Sequence, residues 1–319
     1  EKGINKANNL LVPLCSEVKF TKSGNCMKRP DVDPYIIGVL LGDGCITGSR
    51  MISFTTIDDE ISDIVGKRFQ LTKNKCQKSM AYCFNIKGNE IKNILKELRI
   101  YGCNSKDKFI PTCYKYGSIE DRYNVLAGLM DTDGTVGTDG NVSYCTVSKR
   151  LAEDVAFVIR SLGGKATITE SPAGYRNSKG EYVECKMSYD VYINIKTQDK
   201  IFKLPRKLNR LTPYNSGVSE LGKRMVGYEY YGKEEARCIK VSGVDGLFCT
   251  NDFTVTHNSA IMILSPLYNI DNPLFICNGF RKQYGDIERG LWNTSKILYT
   301  GNAIPAKTNF TWTFDSGAM

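Results

Sequence analysis

Histidine is nearly absent: the 319-residue chain has one, His257. The usual Cys/His zinc patterns are excluded, since none of the twelve cysteines stands in a C-x-x-C pair either. The cysteines are spread along the whole chain, so they read as free thiols in a reducing compartment and not as a disulfide scaffold. Long apolar runs are missing too. No stretch of about 18 apolar residues occurs, and the opening EKGINKANNL has no apolar signal core. Acid does not dominate: 43 Lys and Arg against 34 Asp and Glu leave a net charge of +9. That balance suits a phosphate-backbone partner without establishing one. The chain opens on Glu1 and stops at DSGAM, so a piece of a longer protein is expected.

Hydrophobic residues make up 41% and charged residues 24%, ordinary for a folded protein, and the length predicts two or three units. The most informative feature is an internal repeat. Residues 35–46 read YIIGVLLGDGCI and residues 125–136 read VLAGLMDTDGTV: each is a short apolar helix with one early glycine, ending in Asp-Gly. Pro34 suits the first turn of the first helix, and the acidic SIEDR suits the start of the second. Each copy is followed by hairpin strands (ITGSRMISFTT and VGTDGNVSYCTVS), a helix (DDEISDIVGKRFQ and KRLAEDVAFVIRSLGG), and a strand ending in Asn-Ile-Lys before another helix. The order helix, two strands, helix, two strands, helix therefore occurs twice. The prediction is an α+β domain of about 190 residues with pseudo-twofold symmetry.

Glycine at matching places, Gly38 and Gly128, removes the Cβ and lets two helices approach closely. Their ends would then bring Asp43 and Asp133 side by side. Two such carboxylates repel unless cations lie between them, and hard oxygen ligands suit Mg²⁺. A single Asp-Gly after an apolar helix is a helix stop; two copies with equivalent flanks argue for shared chemistry. Asp131 has no acidic match, because Leu41 stands at that place, and it reads as a helix-end contact.

LAGLMDTDG at 126–134 and the looser IIGVLLGDG at 36–44 resemble the motif of LAGLIDADG homing endonucleases carried by inteins. SKDKFIP and AEDVAFVIRSLGG share that resemblance, which covers about residues 30–225. It implies double-strand cutting of a long asymmetric DNA site by a monomer, with Mg²⁺ at Asp43 and Asp133 and with Gly42 and Thr132 in the metal set. It also implies a basic residue beside each active site, at Lys87 and Lys196. DNA would lie across the concave face of the strands, where Ser49, Arg50, Asn141 and Ser143 are candidate contacts.

Residues 237–259, RCIKVSGVDGLFCTNDFTVTHNS, resemble the closing blocks of an intein, a Hint-type β splicing segment. Asn258 would cyclise and break the peptide bond, His257 would assist as general acid-base, and Ser259 would be the accepting nucleophile. Cys238 stands where inteins place Asp or Cys, to tune cleavage or take the branch. The Thr-x-x-His block that inteins carry ahead of the endonuclease is not present, so a missing N-terminal intein segment is an implied partner. Beyond Ser259, FRKQY, GLW and WTFDSGA resemble the large subunit of phage terminases, a P-loop ATPase of α/β class.

The expected organisation is residues 1–30 as splicing remnant and linker, 31–225 as endonuclease, 226–258 as splicing segment and 259–319 as the start of the host protein. The expected setting is the cytoplasm of a phage-infected bacterium. Two other readings stay open: a DNA-binding or maturase-like protein that lost cutting, and an inert insertion in a terminase ATPase fragment.

Overall fold

The computed structural model describes residues 11–20, 29–48, 51–76, 79–176, 182–212, 222–224, 247–256, 263, 265–279 and 283–319. Two compact units result: Cys15–Leu221, and Glu1–Leu14 together with Gly222–Met319.

In the second of these, strand β1 (Leu11–Pro13) pairs antiparallel with a strand at Gly222–Arg224, and Leu14 bridges to Thr254. Phe248–Cys249 and Val255–Thr256 close an antiparallel hairpin. From residue 263 onward the described residues form a helical segment ending at Tyr299 and a hairpin of Ala303–Ala306 with Thr311–Phe314. Trp292, Tyr299, Trp312 and Phe314 are buried at their contact, and the Trp312 indole donates to Ser295 at 2.8 Å. Among the described residues this part holds no parallel sheet.

The unit Cys15–Leu221 is built twice over. The first copy runs α1 (Pro34–Leu41), β2 (Gly44–Cys45), β3 (Ser53–Thr56), α2 (Asp59–Gly66), β4 (Leu71–Lys75), β5 (Tyr82–Ile86), α3 (Glu90–Glu97). A short α4 (Thr112–Lys115) leads to the second copy: α5 (Ile119–Thr132), β6 (Gly134–Val136), β7 (Val142–Thr146), α6 (Lys149–Ser161), β8 (Lys165–Arg176) and β9 (Tyr182–Asn194). The two four-stranded antiparallel sheets have the same order, β2-β3-β5-β4 and β6-β7-β9-β8. Phe54 and Tyr144 take equivalent places, one strand in from Gly44 and Gly134. Alternation sets the inner face of each sheet: Phe54, Phe84 and Ile86 in one and Tyr144, Val191 and Ile193 in the other are buried, while their sequence neighbours face outward.

The last helix of the second copy departs from the expected form. It is a 3₁₀ turn, Gln198–Ile201, followed by a four-residue helix α7 (Pro205–Leu208). The break has two causes: the amides of Lys203 and Leu204 are taken by the Asp131 carboxylate, and Pro205 has no amide to give.

Residues 15–20 pack on this unit, although the sequence assigns them to the splicing remnant. The fully buried Arg122 explains the attachment. Its guanidinium donates to the Ser161 carbonyl at 3.0 Å and to the Val18 carbonyl, and lies 4.9 Å from the Phe20 ring. The Val18 amide in turn donates to Ser161. A buried guanidinium is tolerable only with such partners.

Candidate active site

Helix α1 and the latter half of α5, residues 125–130, are apolar on every side because they cross in the middle of the unit, each covered by the other and by its own sheet. All eight residues of α1 are buried. Their starts are fixed by polar caps: the Asp33 side chain accepts from the Tyr35 amide at 2.9 Å, and Ser118 and Asp121 form a reciprocal capping box on α5.

At the crossing the backbones touch. A Cβ placed on Gly38 would stand 2.2 Å from the Val125 carbonyl oxygen, and one on Gly128 would stand 2.2 Å from that of Tyr35. Only glycine fits at either position. One turn further on, both helices end together: Gly42 would meet Thr132 Oγ1 at 1.9 Å if it carried a Cβ, and Asp133 Oδ2 lies 3.3 Å from the same point. Asp133 is the C-cap of α5, and Asp43 directly follows the C-cap of α1.

Two carboxylates thus meet at the negative ends of two helix dipoles, an arrangement that disfavours charge. Desolvation raises both above the ordinary carboxylate range. Asp133 is pushed up to about 6, by desolvation first and by Asp43 second, with Lys108 and Lys207 opposing. Asp43 reaches solvent and is raised by desolvation against the same two lysines.

Lys108 and Lys207 are the functional residues that sequence reasoning missed. Both are buried. The Lys108 ammonium donates to the carbonyls of Leu40, Gly42 and Gly44 at 3.2, 2.7 and 2.9 Å. The Lys207 ammonium donates to those of Met130, Asp131, Thr132 and Gly134 at 2.6, 2.8, 3.3 and 2.7 Å. Each lysine closes the carbonyl end of one helix, whose last carbonyls have no donors within the helix. Their acceptors occupy matching places in the two copies, so the pair obeys the pseudo-twofold symmetry. Burial lowers both ammonium groups from their usual range, Lys207 to about 8. A faint signal existed, since both sit near a proline in SKDKFIP and KLPRKL. The proline follows the lysine in one and precedes it in the other, so no repeat alignment superimposes them.

Lys87 and Lys196 stand exposed just beyond β5 and β9, at the strand-to-helix step where the sequence puts them. The structure does not bring them to the aspartates. Each follows a strand two places across its sheet from the one that continues from Asp43 or Asp133, and the lysine charges felt there are those of Lys108 and Lys207. The Gly42 and Thr132 carbonyls each accept from one of those lysines, and each keeps a second lone pair. The Thr132 hydroxyl is committed to the Gly128 and Leu129 carbonyls of its own helix. Asp131 also accepts from the Tyr35 hydroxyl at 2.8 Å, tying α5 to the start of α1.

Among the described residues no three His, Cys, Asp or Glu side chains cluster as a metal cage. The donor set is two carboxylates and backbone oxygens. That set fits Mg²⁺, which keeps several waters and takes one or two carboxylates plus substrate phosphate oxygens. His257, Asn258, Ser259 and Cys238 lie outside the described residues, as do Ser49 and Arg50. Asn141 and Ser143 are described, on the turn before β7 and on β7.

Residues 120–203 match the model of the LAGLIDADG-like domain. The replicative DNA helicase DnaB of Mycobacterium intracellulare is 29% identical over 233 residues, 72% of this chain and 35% of that protein. The homothallic switching endonuclease of Saccharomyces cerevisiae is 35% identical over 91 residues, 26% of this chain and 15% of its own length. The chain thus spans about a third of the helicase and less of the endonuclease. Among solved structures, mesophilic variants of the homing endonuclease I-DmoI are 14% identical with a TM-score of 0.33, covering 55% of this chain and 94% of that one. I-DmoI in complex with DNA and Ca is 13% identical, also at 0.33, covering 53% and 84%.

Proposed function

We propose, from the premise that residues 120–203 form a LAGLIDADG-like domain, that the two copies together make a site-specific DNA endonuclease that cuts both strands. One observation carries the reading: the glycine-only crossing of α1 and α5 sets Asp43 and Asp133 together between two buried lysines. Nothing in folding rewards two adjacent carboxylates that desolvation raises toward protonation. A site for divalent cations and phosphate oxygens does.

In this reading Asp43 and Asp133 hold Mg²⁺, with the Gly42 and Thr132 carbonyls as further oxygens. Bound there, the metal supplies an activated water and stabilises the leaving oxygen of phosphodiester hydrolysis. Lys108 and Lys207 keep the two helix ends in place and set positive charge beside the site where the phosphorane gains negative charge. The outward faces of the two sheets receive double-stranded DNA in the major groove, Asn141 and Ser143 among the contacts.

We further propose that the endonuclease sits inside a protein-splicing element. In support, β1 from ahead of the repeat laces onto strands that follow it, as an insertion within a splicing domain requires. The hairpin at 248–256 leads directly into His257, Asn258 and Ser259, the residues proposed for Asn cyclisation and transfer to serine, with Cys238 upstream. The helicase similarity runs over 233 residues, far more than the 61 from Ser259 onward, so most of it falls ahead of Ser259. The terminase host, the phage-infected cell and an N-terminal intein segment as partner rest on the motifs in the sequence.

The test is a library of random DNA duplexes incubated with the full chain in Mg²⁺ and in EDTA, with new double-strand ends captured and sequenced. Ends clustered at one sequence in Mg²⁺ alone are expected. Selective binding with no cutting would replace the endonuclease by a DNA-binding protein.

A further inference from the structure

The outward face of the second sheet has a feature that the proposed chemistry does not use. β7, β9 and β8 align Cys145, Asp190 and Thr169 in one cross-strand row. The alternation that buries Tyr144 and Val191 turns this row away from the core. The nearest outward residues Ser143, Thr167 and Tyr192 are uncharged, and the one cation among the described side chains of these strands, Lys165, stands at the far end opposite Asn194. Asp190 is the one acid that these strands turn outward among the described side chains; Asp133, just ahead of β6, lies near the Cys145 end of the row. Glu170, which neighbours it across β8, points the other way and is paired with Lys149 at 3.2 Å. No such ion pair holds Asp190 among the described residues. In the first sheet the matching row is Thr55, Cys83 and Asn74, with no charge.

An acid on a surface that meets DNA is repelled by the phosphates. It gains only where a base offers it a donor, and in the major groove the amino group at C4 of cytosine does so without the N7 acceptor that stands beside adenine's amino group. The row also orients the carboxylate. The Cys145 thiol donates to it, and burial together with Asp190 pushes that thiol up to about 11, so it stays protonated and remains a donor.

We propose that Asp190 is a specificity-determining residue that reads a cytosine in the half-site under the second sheet, with Cys145 as its positioning partner. The inference deepens the DNA-cutting reading and rests on it.

The experiment selects from a random DNA pool with the full chain in EDTA, where no cutting occurs, and sequences the bound fraction. The wild-type chain should require cytosine at one position that Asp190→Asn changes. The variant should lose that preference about tenfold or turn it toward adenine, which asparagine matches, with every other position unchanged. Cys145→Ala, which keeps the carboxylate, should weaken the same preference without redirecting it. An unchanged profile in Asp190→Asn, or a uniform loss over all sequences, overturns the inference while the DNA-cutting reading stands. A wild-type chain that selects no sequence overturns both.

Discussion

The lysines decide the electrostatics of the site. Replacing Lys108 by Met strands the carbonyls of Leu40, Gly42 and Gly44 and removes a charge that holds Asp43 and Asp133 down. Cutting should fall at least about 100-fold, with a loss of about 2–3 kcal/mol in urea unfolding. Lys108→Arg should not rescue it, because a planar guanidinium cannot send three donors from one nitrogen to three converging carbonyls. Asp133 gives a test with a definite sign. Its carboxyl stands near 6 in the folded chain against an ordinary 3.8, so the unfolded chain loses this proton first as pH rises. The stability it contributes is full below about pH 4 and lost as pH climbs through about 6. In EDTA, Asp133→Asn should therefore be more stable than wild type at pH 7 by on the order of 1–2 kcal/mol, allowing for solvent screening. The two should converge near pH 4. Equal stability at pH 7 would mean that neither desolvation nor Asp43 raises the Asp133 carboxyl.

At the scale of elements, the crossing of α1 and α5 positions both aspartates. Gly38→Ala would drive a Cβ into the Val125 carbonyl, which is backbone and cannot swing aside. A cost of about 3 kcal/mol is expected, with cutting lost as the helix ends part. Gly66→Ala, at the end of α2, has only an ordinary 3.7 Å contact with Leu71 and should leave thermal unfolding within a degree or two of wild type. This crossing was legible in the sequence because a glycine at a fixed place in two apolar helices has a direct steric meaning. The helix–strand order was legible for a similar reason: strand alternation and helix spacing recur twice, and Gly163 with φ of +83° closes α6 where its sequence predicts a stop. The broken final helix was not legible, since its cause, Asp131, lies more than 70 residues away in sequence. Lys108 and Lys207 were obscured likewise: a lysine that caps another helix carries no local pattern. Lys87 and Lys196 carried a clear pattern, the shared Asn-Ile-Lys, which marks equivalent strand ends and not proximity to the aspartates.

At the scale of the whole molecule, the compact unit Cys15–Leu221 begins before the first motif, because Arg122 pulls residues 15–20 onto it. A buried arginine inside the capped helix α5 looks in the sequence like an exposed charge, so this attachment was hidden too. The account as a whole stands on two active sites, one per DNA strand, sharing the ends of two crossed helices. Its most direct test is conversion of a supercoiled plasmid carrying a selected target site by the wild-type chain, Asp43→Asn and Asp133→Asn, each with Mg²⁺ and with EDTA. The account predicts linear product from the wild type in Mg²⁺ alone and none from either variant. Linear product at an undiminished rate from either variant would contradict it.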